Sequence, residues 1–364
     1  AAQAQTTGTN TTAIGSFSLY SNTTGNNNTA VGSAFETTLG VLQSNTTGSD
    51  NTALGVSALT SNTTASYNTA VGYQAGYSNT TGTGLTAIGK QALYTNSTGT
   101  SNIAIGNASM FDNTTGSTNT AIGDTSLPNN TTGASNVAIG YQSLLSNTTG
   151  FDNTAVGYQA GYSNVDSAYN TFLGDHAGYY NTSTRNTYLG HASGEAMTTG
   201  SRNTILGRYN GNQGGLDMRT AGNHIVLSDG DGNPRVFING SGHFHSPPTY
   251  SNTTGASANL HVESSGQFVR STSSLRYKNT VNDATHGLTE LKTLRPVTYK
   301  GNNDGDTVYG GLIAEEVHDA GLTEFVTYND DNEPDALAYG NMVSLCIKAI
   351  QEQNALIEAL TARV

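Results

Sequence analysis

A chain of 364 residues has room for two or three domains, yet only 11% of it is charged, against about 25% in ordinary globular proteins. A formal net charge of −12, with no run of Lys or Arg to offset it, disfavours nucleic acid and anionic lipid as partners. The single cysteine, Cys346, excludes an internal disulfide framework; no apolar stretch approaches the ~20 residues of a membrane span, and no signal peptide is visible.

Asn, Thr, Ser and Gly take the place of the missing charges, a composition that leads to disorder unless the residues recur at a fixed period. They do recur. Variants of the pentapeptide Asn-Thr-Ala-(Val/Ile/Leu)-Gly close on Gly15, Gly32, Gly55, Gly72, Gly89, Gly106, Gly123, Gly140, Gly157, Gly174, Gly190 and Gly207. The step is 17 residues except for 23 between Gly32 and Gly55, read as an insertion of six around residues 35–42, and 16 between Gly174 and Gly190. A second signature, Ser-Asn-Thr-Thr-Gly, lies midway, as at residues 21–25, 44–48 and 146–150. Each repeat is therefore predicted to hold two strand-like runs and two turns.

Seventeen residues cannot bury a face alone, so the units must stack as coils about 4.8 Å apart, a parallel β-solenoid on the order of 60 Å long. Aligned Asn and Thr are expected to form ladders. Alternation places Asn68, Ala70 and Gly72 on one face and Thr69 and Val71 on the other. Small residues suit the inside of a narrow coil. The stripe of Ile14, Val31, Leu54, Val71, Ile88, Ile105, Ile122, Ile139 and Val156 then points outward, where a continuous apolar ridge needs a partner. Three such ridges meeting on an axis would supply it; a monomer with the stripe turned inward is the alternative. The run Asn-Thr-Ala-Val-Gly-Tyr-Gln-Ala-Gly at residues 68–76 resembles the head repeat of trimeric autotransporter adhesins. The resemblance covers about residues 10–207 and implies a left-handed parallel β-roll packed as a trimer. Tyr73, Tyr77, Tyr141, Tyr158 and Tyr162, just after the glycine, are expected to be surface packing ladders or sugar-stacking platforms.

From residue 208 to 272 the period fails and short alternating runs, such as 224–227, 235–238 and 259–262, are separated by turn residues. This reads as a β-rich stalk or connector. His243 and His245 fall on one strand face, and three chains would bring six imidazoles to an axis, but the motif occurs once and solvated or stacking histidines are the simpler reading. No metal and no cofactor is assigned.

After Ser273 charge rises and Leu288, Leu291 and Leu294 give a short helical periodicity ending at Pro296, the mark of a conventional small α+β domain over residues 273–364. Val343, Cys346, Ile350, Gln353, Ile357, Leu360 and Val364 alternate steps of three and four, a heptad seam for a closing coiled-coil helix. Cys346 is expected to be a small seam residue rather than a redox site. Four blocks, at residues 273–278, 294–299, 311–317 and 339–353, resemble in order the endosialidase-type intramolecular chaperone that trimerises phage tail fibres and tail spikes. That resemblance implies a self-cleaving dyad of Ser273 and Lys278 acting on the Thr272–Ser273 bond, at most a single-turnover peptidase. Ser274 stands where the family often has Asp. A lysine amine can take the serine proton only if burial lowers its pKa, and assembly would provide that burial.

The expectation is a homotrimeric virion tail fibre, made in the host cytoplasm. Its partners would be other virion tail proteins and a host cell-surface receptor or glycan. Two alternatives come from other classes. Regular Thr ladders on a flat face would suit ice binding. A polysaccharide depolymerase would need carboxylates about 5–10 Å apart, whereas Glu36, Asp50, Asp112, Asp124, Asp152, Asp166, Asp175 and Glu195 are scattered.

Overall fold

Each repeat forms one coil of a parallel β-solenoid. The computed structural model describes residues 2–33, 39–246, 260–262, 268–270, 280–302, 306–329 and 331–363. They fall into two units, Ala1–Gly255 and Ala256–Val364.

In the first unit, three-residue strands run from β1 (Thr12–Ile14) to β12 (Thr204–Leu206), each paired in parallel with the next. The register superposes like on like: Thr52 on Thr69, Ala53 on Ala70, Leu54 on Val71. Beyond Gly207 the parallel stacking continues for one more coil, with Thr204, Ile205 and Leu206 opposite Ile225, Val226 and Leu227 of β15 (Ile225–Ser228). Between them the chain inserts a hairpin, β13 (Asn212–Gln213) and β14 (Leu216–Asp217). Two antiparallel strands, β16 (Pro234–Ile238) and β17 (Phe244–His245), close the 15-stranded sheet.

Only one of the two predicted strand-like runs in each coil is a strand. The other is a succession of turns in which alternate residues take φ above zero, as at Ser57 (56°) and Leu59 (50°). Its backbone still pairs coil to coil, the Leu59 N–H donating to the Ala75 carbonyl at 3.0 Å. A closed coil of 17 residues around so narrow a core must bend at nearly every second residue, which an extended run cannot do.

The central alanines of the strands, among them Ala30, Ala53, Ala70, Ala104 and Ala121, are fully buried, while Ile14 of the stripe is 59% exposed. The stripe thus points outward, and the inward-turned alternative falls. Across the core from the alanines stand Leu19, Leu42, Leu59, Leu93, Met110, Leu127 and Leu144. Val41 and Leu42 lie in this core, so the insertion is confined between Gly32 and Val41. The shortened step falls where Asn181 and Asn186 are bonded five residues apart; elsewhere the spacing is six, as for Asn164 and Asn170.

Two asparagine ladders flank the apolar column. Asn113 Nδ2 donates to Asn96 Oδ1 at 2.7 Å and to the Gly116 carbonyl at 3.0 Å, and its own Oδ1 accepts from Asn130 at 2.7 Å. This chain of bonds runs from Asn22 to Asn164. The second ladder runs from Asn28 to Asn203 and is interrupted by Leu85. Fully buried amides are tolerated here because in most coils both N–H groups and the oxygen find partners.

The second unit is small and α+β. Among the described residues its strands form three antiparallel hairpins, β18 (Leu260–Val262) with β19 (Phe268–Arg270), β20 (Val297–Tyr299) with β21 (Tyr309–Gly311) and β22 (Val326–Tyr328) with β23 (Pro334–Leu337), beside helices α1 (Leu288–Leu291), α2 (Ala314–Asp319) and α3 (Val343–Thr361) in the chain. Val317, Leu322, Phe325, Met342 and Leu345 form its core. Glu352 of α3 accepts from the Leu288 N–H at 2.8 Å, so one turn of α3 caps the start of α1.

Candidate functional site

The dyad residues Ser273 and Lys278, and Thr272 before the proposed cut, lie outside the described residues. The later blocks of the same resemblance do come together in the second unit. Arg295 pairs with Glu316 on α2. The Tyr339 hydroxyl accepts from the Leu312 N–H at 2.7 Å and donates to the Leu312 carbonyl at 3.2 Å. These contacts fix the 294–299, 311–317 and 339 segments around one groove, which Arg295, Tyr299, Leu312 and Tyr339 help to line.

Helix α3 is two-faced. Leu345 and Ala349 are buried against the small domain. Val343, Ile350, Ile357 and Leu360 of the predicted seam are 53–64% exposed, and Cys346 is exposed among them. Val364, at the end of the seam, lies outside the described residues.

The outer face of the solenoid sheet carries two columns. One is mostly threonine: Thr12, Thr29, Thr52, Thr69 and Thr86, then Ile103, and later Thr154, Thr171, Thr187 and Thr204. The other is aliphatic from Ile14 to Leu227 without a polar residue, with Leu54, Leu173, Leu206 and Leu227 between 42% and 47% exposed. Strand geometry sets the columns about 6.7 Å apart and the coils about 4.8 Å apart.

Aromatic side chains stack along other sides of the coil. Tyr77, Tyr94 and Phe111 form one run with centroids 5.1 and 4.9 Å apart, and Tyr141 stacks on Tyr158 at 5.4 Å. Tyr162 stacks on Tyr179 at 4.7 Å. The ladders predicted for Tyr77, Tyr141, Tyr158 and Tyr162 are therefore present, and the sequence reading missed Tyr179 and Tyr180, which extend them. A repeat of 17 could have located Tyr179, which stands 17 residues after Tyr162.

The ring of His245 stacks on Phe237 at 4.4 Å, and Asn239 Nδ2 lies 3.2 Å from His245 Nε2 and 3.4 Å from His243 Nδ1. Two carboxylates of the first unit, Asp217 and Asp229, are paired with Arg219 and Arg235. The Asp217 carboxyl is held below its ordinary pKa by Arg219. The Asn233 N–H, with help from Arg235, brings Asp229 down to about 2. Both shifts run opposite to what a glycosidase general acid requires. No protein-family model matches the chain, and neither a curated protein nor a solved structure matches it.

Proposed function

We propose that the chain is the structural and attachment component of a virion tail fibre, assembled as a homotrimer. The carrying observation is the uninterrupted aliphatic column from Ile14 to Leu227 on the outer face of the solenoid sheet, partly to well exposed along its length. A continuous apolar ridge of that length is a liability in a lone chain and a seam in a trimer. The exposed face of α3 supplies a second seam of the same kind. Light scattering of the full chain tests the reading: the expected mass is three times the 37.7 kDa of one chain, and a monomer overturns it.

The proposal extends to the last 92 residues as an intramolecular chaperone that releases itself. Ser273 Oγ would attack the Thr272 carbonyl carbon while the neutral Lys278 amine takes the hydroxyl proton. The peptide nitrogen leaves protonated as the new Ser273 amine, an ester joins the two parts, and water splits it into a Thr272 carboxylate and a free hydroxyl. Denaturing mass spectrometry is expected to find parts of 272 and 92 residues in wild type and one uncut chain in Ser273→Ala. A single intact wild-type mass removes cleavage from the proposal and leaves assembly standing.

The paired threonine and aliphatic columns favour one other reading, an ice-binding face, because their regular two-dimensional spacing presents hydroxyls and methyls to a lattice. A monomer that depresses freezing without depressing melting would replace the trimeric fibre with it.

A further inference from the structure

Where the 17-residue period ends, the inserted β13–β14 hairpin and the residues just after it bring Asp217, Arg219 and Thr220 to a groove on one side of the solenoid. Successive coils bring Ser163, Tyr180 and Ala196 alongside Thr182 and Thr198. The Thr182 N–H donates to the Thr198 carbonyl at 3.0 Å, and the Thr198 N–H to the Arg219 carbonyl at 2.9 Å. Arg219 thus takes the place after Thr182 and Thr198 in this stack of turn residues, which is separate from the threonines of the sheet face. With Asp217 and Thr220 these residues enclose a groove of about 620 Å³.

The chemistry of the lining is mixed in a particular way. Arg219 and Asp217 are each about half exposed and hold one another through two bonds, Nε to Oδ1 at 3.0 Å and Nη2 to Oδ2 at 2.7 Å. The pair is fixed and neutral as a unit, and it still offers further guanidinium N–H donors and carboxylate lone pairs. Tyr180 is 53% exposed and stands edge-on to Tyr179, at 78° and 4.6 Å. From Tyr179 an aromatic run continues through His176 at 5.3 Å to Tyr158 at 5.2 Å, and on to Tyr141. Nothing in the packing of the coil calls for an exposed ring at Tyr180, since the neighbouring coils carry Ser163 and Ala196 there.

We propose that this groove binds a neutral glycan chain, one hexopyranose stacking a C–H face on Tyr180 while its hydroxyls bond to the Asp217–Arg219 pair and the adjacent threonines. Adjacent ring hydroxyls each need a donor and an acceptor, which a fixed carboxylate–guanidinium pair supplies, and an aromatic face takes the apolar side of the sugar. The remaining sugars run along the aromatic surface toward Tyr141. A polyanionic glycan is disfavoured, because the only cation in the lining is already neutralised and the chain carries −12 overall. The inference rests on the reading of the chain as an attachment protein and names the class of ligand.

The test uses the full chain on an array of neutral hexose oligosaccharides, from disaccharides to hexasaccharides, with polysialic acid as the acidic probe. At least one neutral series is expected to bind, more tightly with length, and polysialic acid is not. Tyr180→Ala and Arg219→Ala each weaken binding about tenfold. Tyr141→Ala weakens the hexasaccharide and leaves the disaccharide unchanged. All three side chains lie outside the apolar core, and circular dichroism and light scattering on every variant verify the fold and mass. Absence of neutral binders, preference for polysialic acid, or binding indifferent to both Tyr180→Ala and Arg219→Ala overturns the proposal. A trimer that binds no glycan removes the groove and keeps the assembly; a monomer that binds through Tyr180 does the reverse.

Discussion

At Gly106 the backbone, rather than an inward-facing position, sets the requirement for glycine. Alternation assigns the glycine of each pentapeptide to the inner face, yet Gly106 is half-buried at the corner where the strand ends, with φ at +138°. A Cβ there would sit 2.2 Å from the Gly123 carbonyl oxygen of the next coil. The constraint is backbone against backbone, repeated in every coil, and even a methyl group violates it. Gly106→Ala is expected to cost about 3 kcal/mol or more, read as the fall in the urea midpoint. Gly84 is the control: its φ is +70°, the nearest atom to a Cβ is 3.7 Å away, and other coils carry Asn27 or Asp50 with φ above zero at the same place. Gly84→Asn is expected to stay within about 0.5 kcal/mol of wild type. A Gly106→Ala variant as stable as Gly84→Asn would contradict this account.

At the scale of the element, the core keeps its volume by exchange between its two sides. Most coils set an alanine in the strand against a leucine or methionine in the turn run. Toward the C-terminal end the turn position becomes Gly161, Gly178 and Gly194, and the strand position becomes Phe172, Tyr188 and Ile205. A Cβ on Gly178 would come within 2.5 Å of the Phe172 ring, so the ring occupies the space that a leucine fills elsewhere. Phe172→Ala is expected to lose about 3–5 kcal/mol through the cavity it leaves. Gly178→Leu alone should also destabilise, through the clash. Combined, they restore the Ala and Leu arrangement of the earlier coils, and the backbone permits it because Gly178 has φ of 64° where Leu127 has 52°. The double variant is expected to regain at least half of the loss in a thermal unfolding cycle. Additive losses would show that the two positions do not share one space.

For the whole molecule, the decisive surface is the aliphatic column. Ile105 belongs to it and contributes nothing to the core of its own coil. Ile105→Asp is therefore expected to leave the circular dichroism of the solenoid intact. In the proposed trimer three copies would bury an unpaired carboxylate each, at about 3–5 kcal/mol, and the mass by light scattering is expected to fall toward one chain. A variant that remains trimeric with an unchanged melting temperature would show that this column is not the seam.

The period of 17, the strand at each pentapeptide, the coil lengths of 23 and 16 and the stacking of Asn and Thr were determined by sequence alone, because each follows from residue size and alternation within one repeat. The two-faced closing helix was legible for the same reason, its periodicity being local. Tertiary structure decided the rest, including that the stripe points outward and that Leu42 belongs to the core. That the turn run would alternate positive φ values depended on closing the coil, and that Gly106 meets Gly123 depended on the stacking of two coils. The packing of Phe172 against Gly161, and the grouping of Tyr180 with Asp217 and Arg219, join residues from different coils or from the hairpin where the period breaks. Such contacts belong to the way the chain returns on itself, and no pattern read along one repeat contains them.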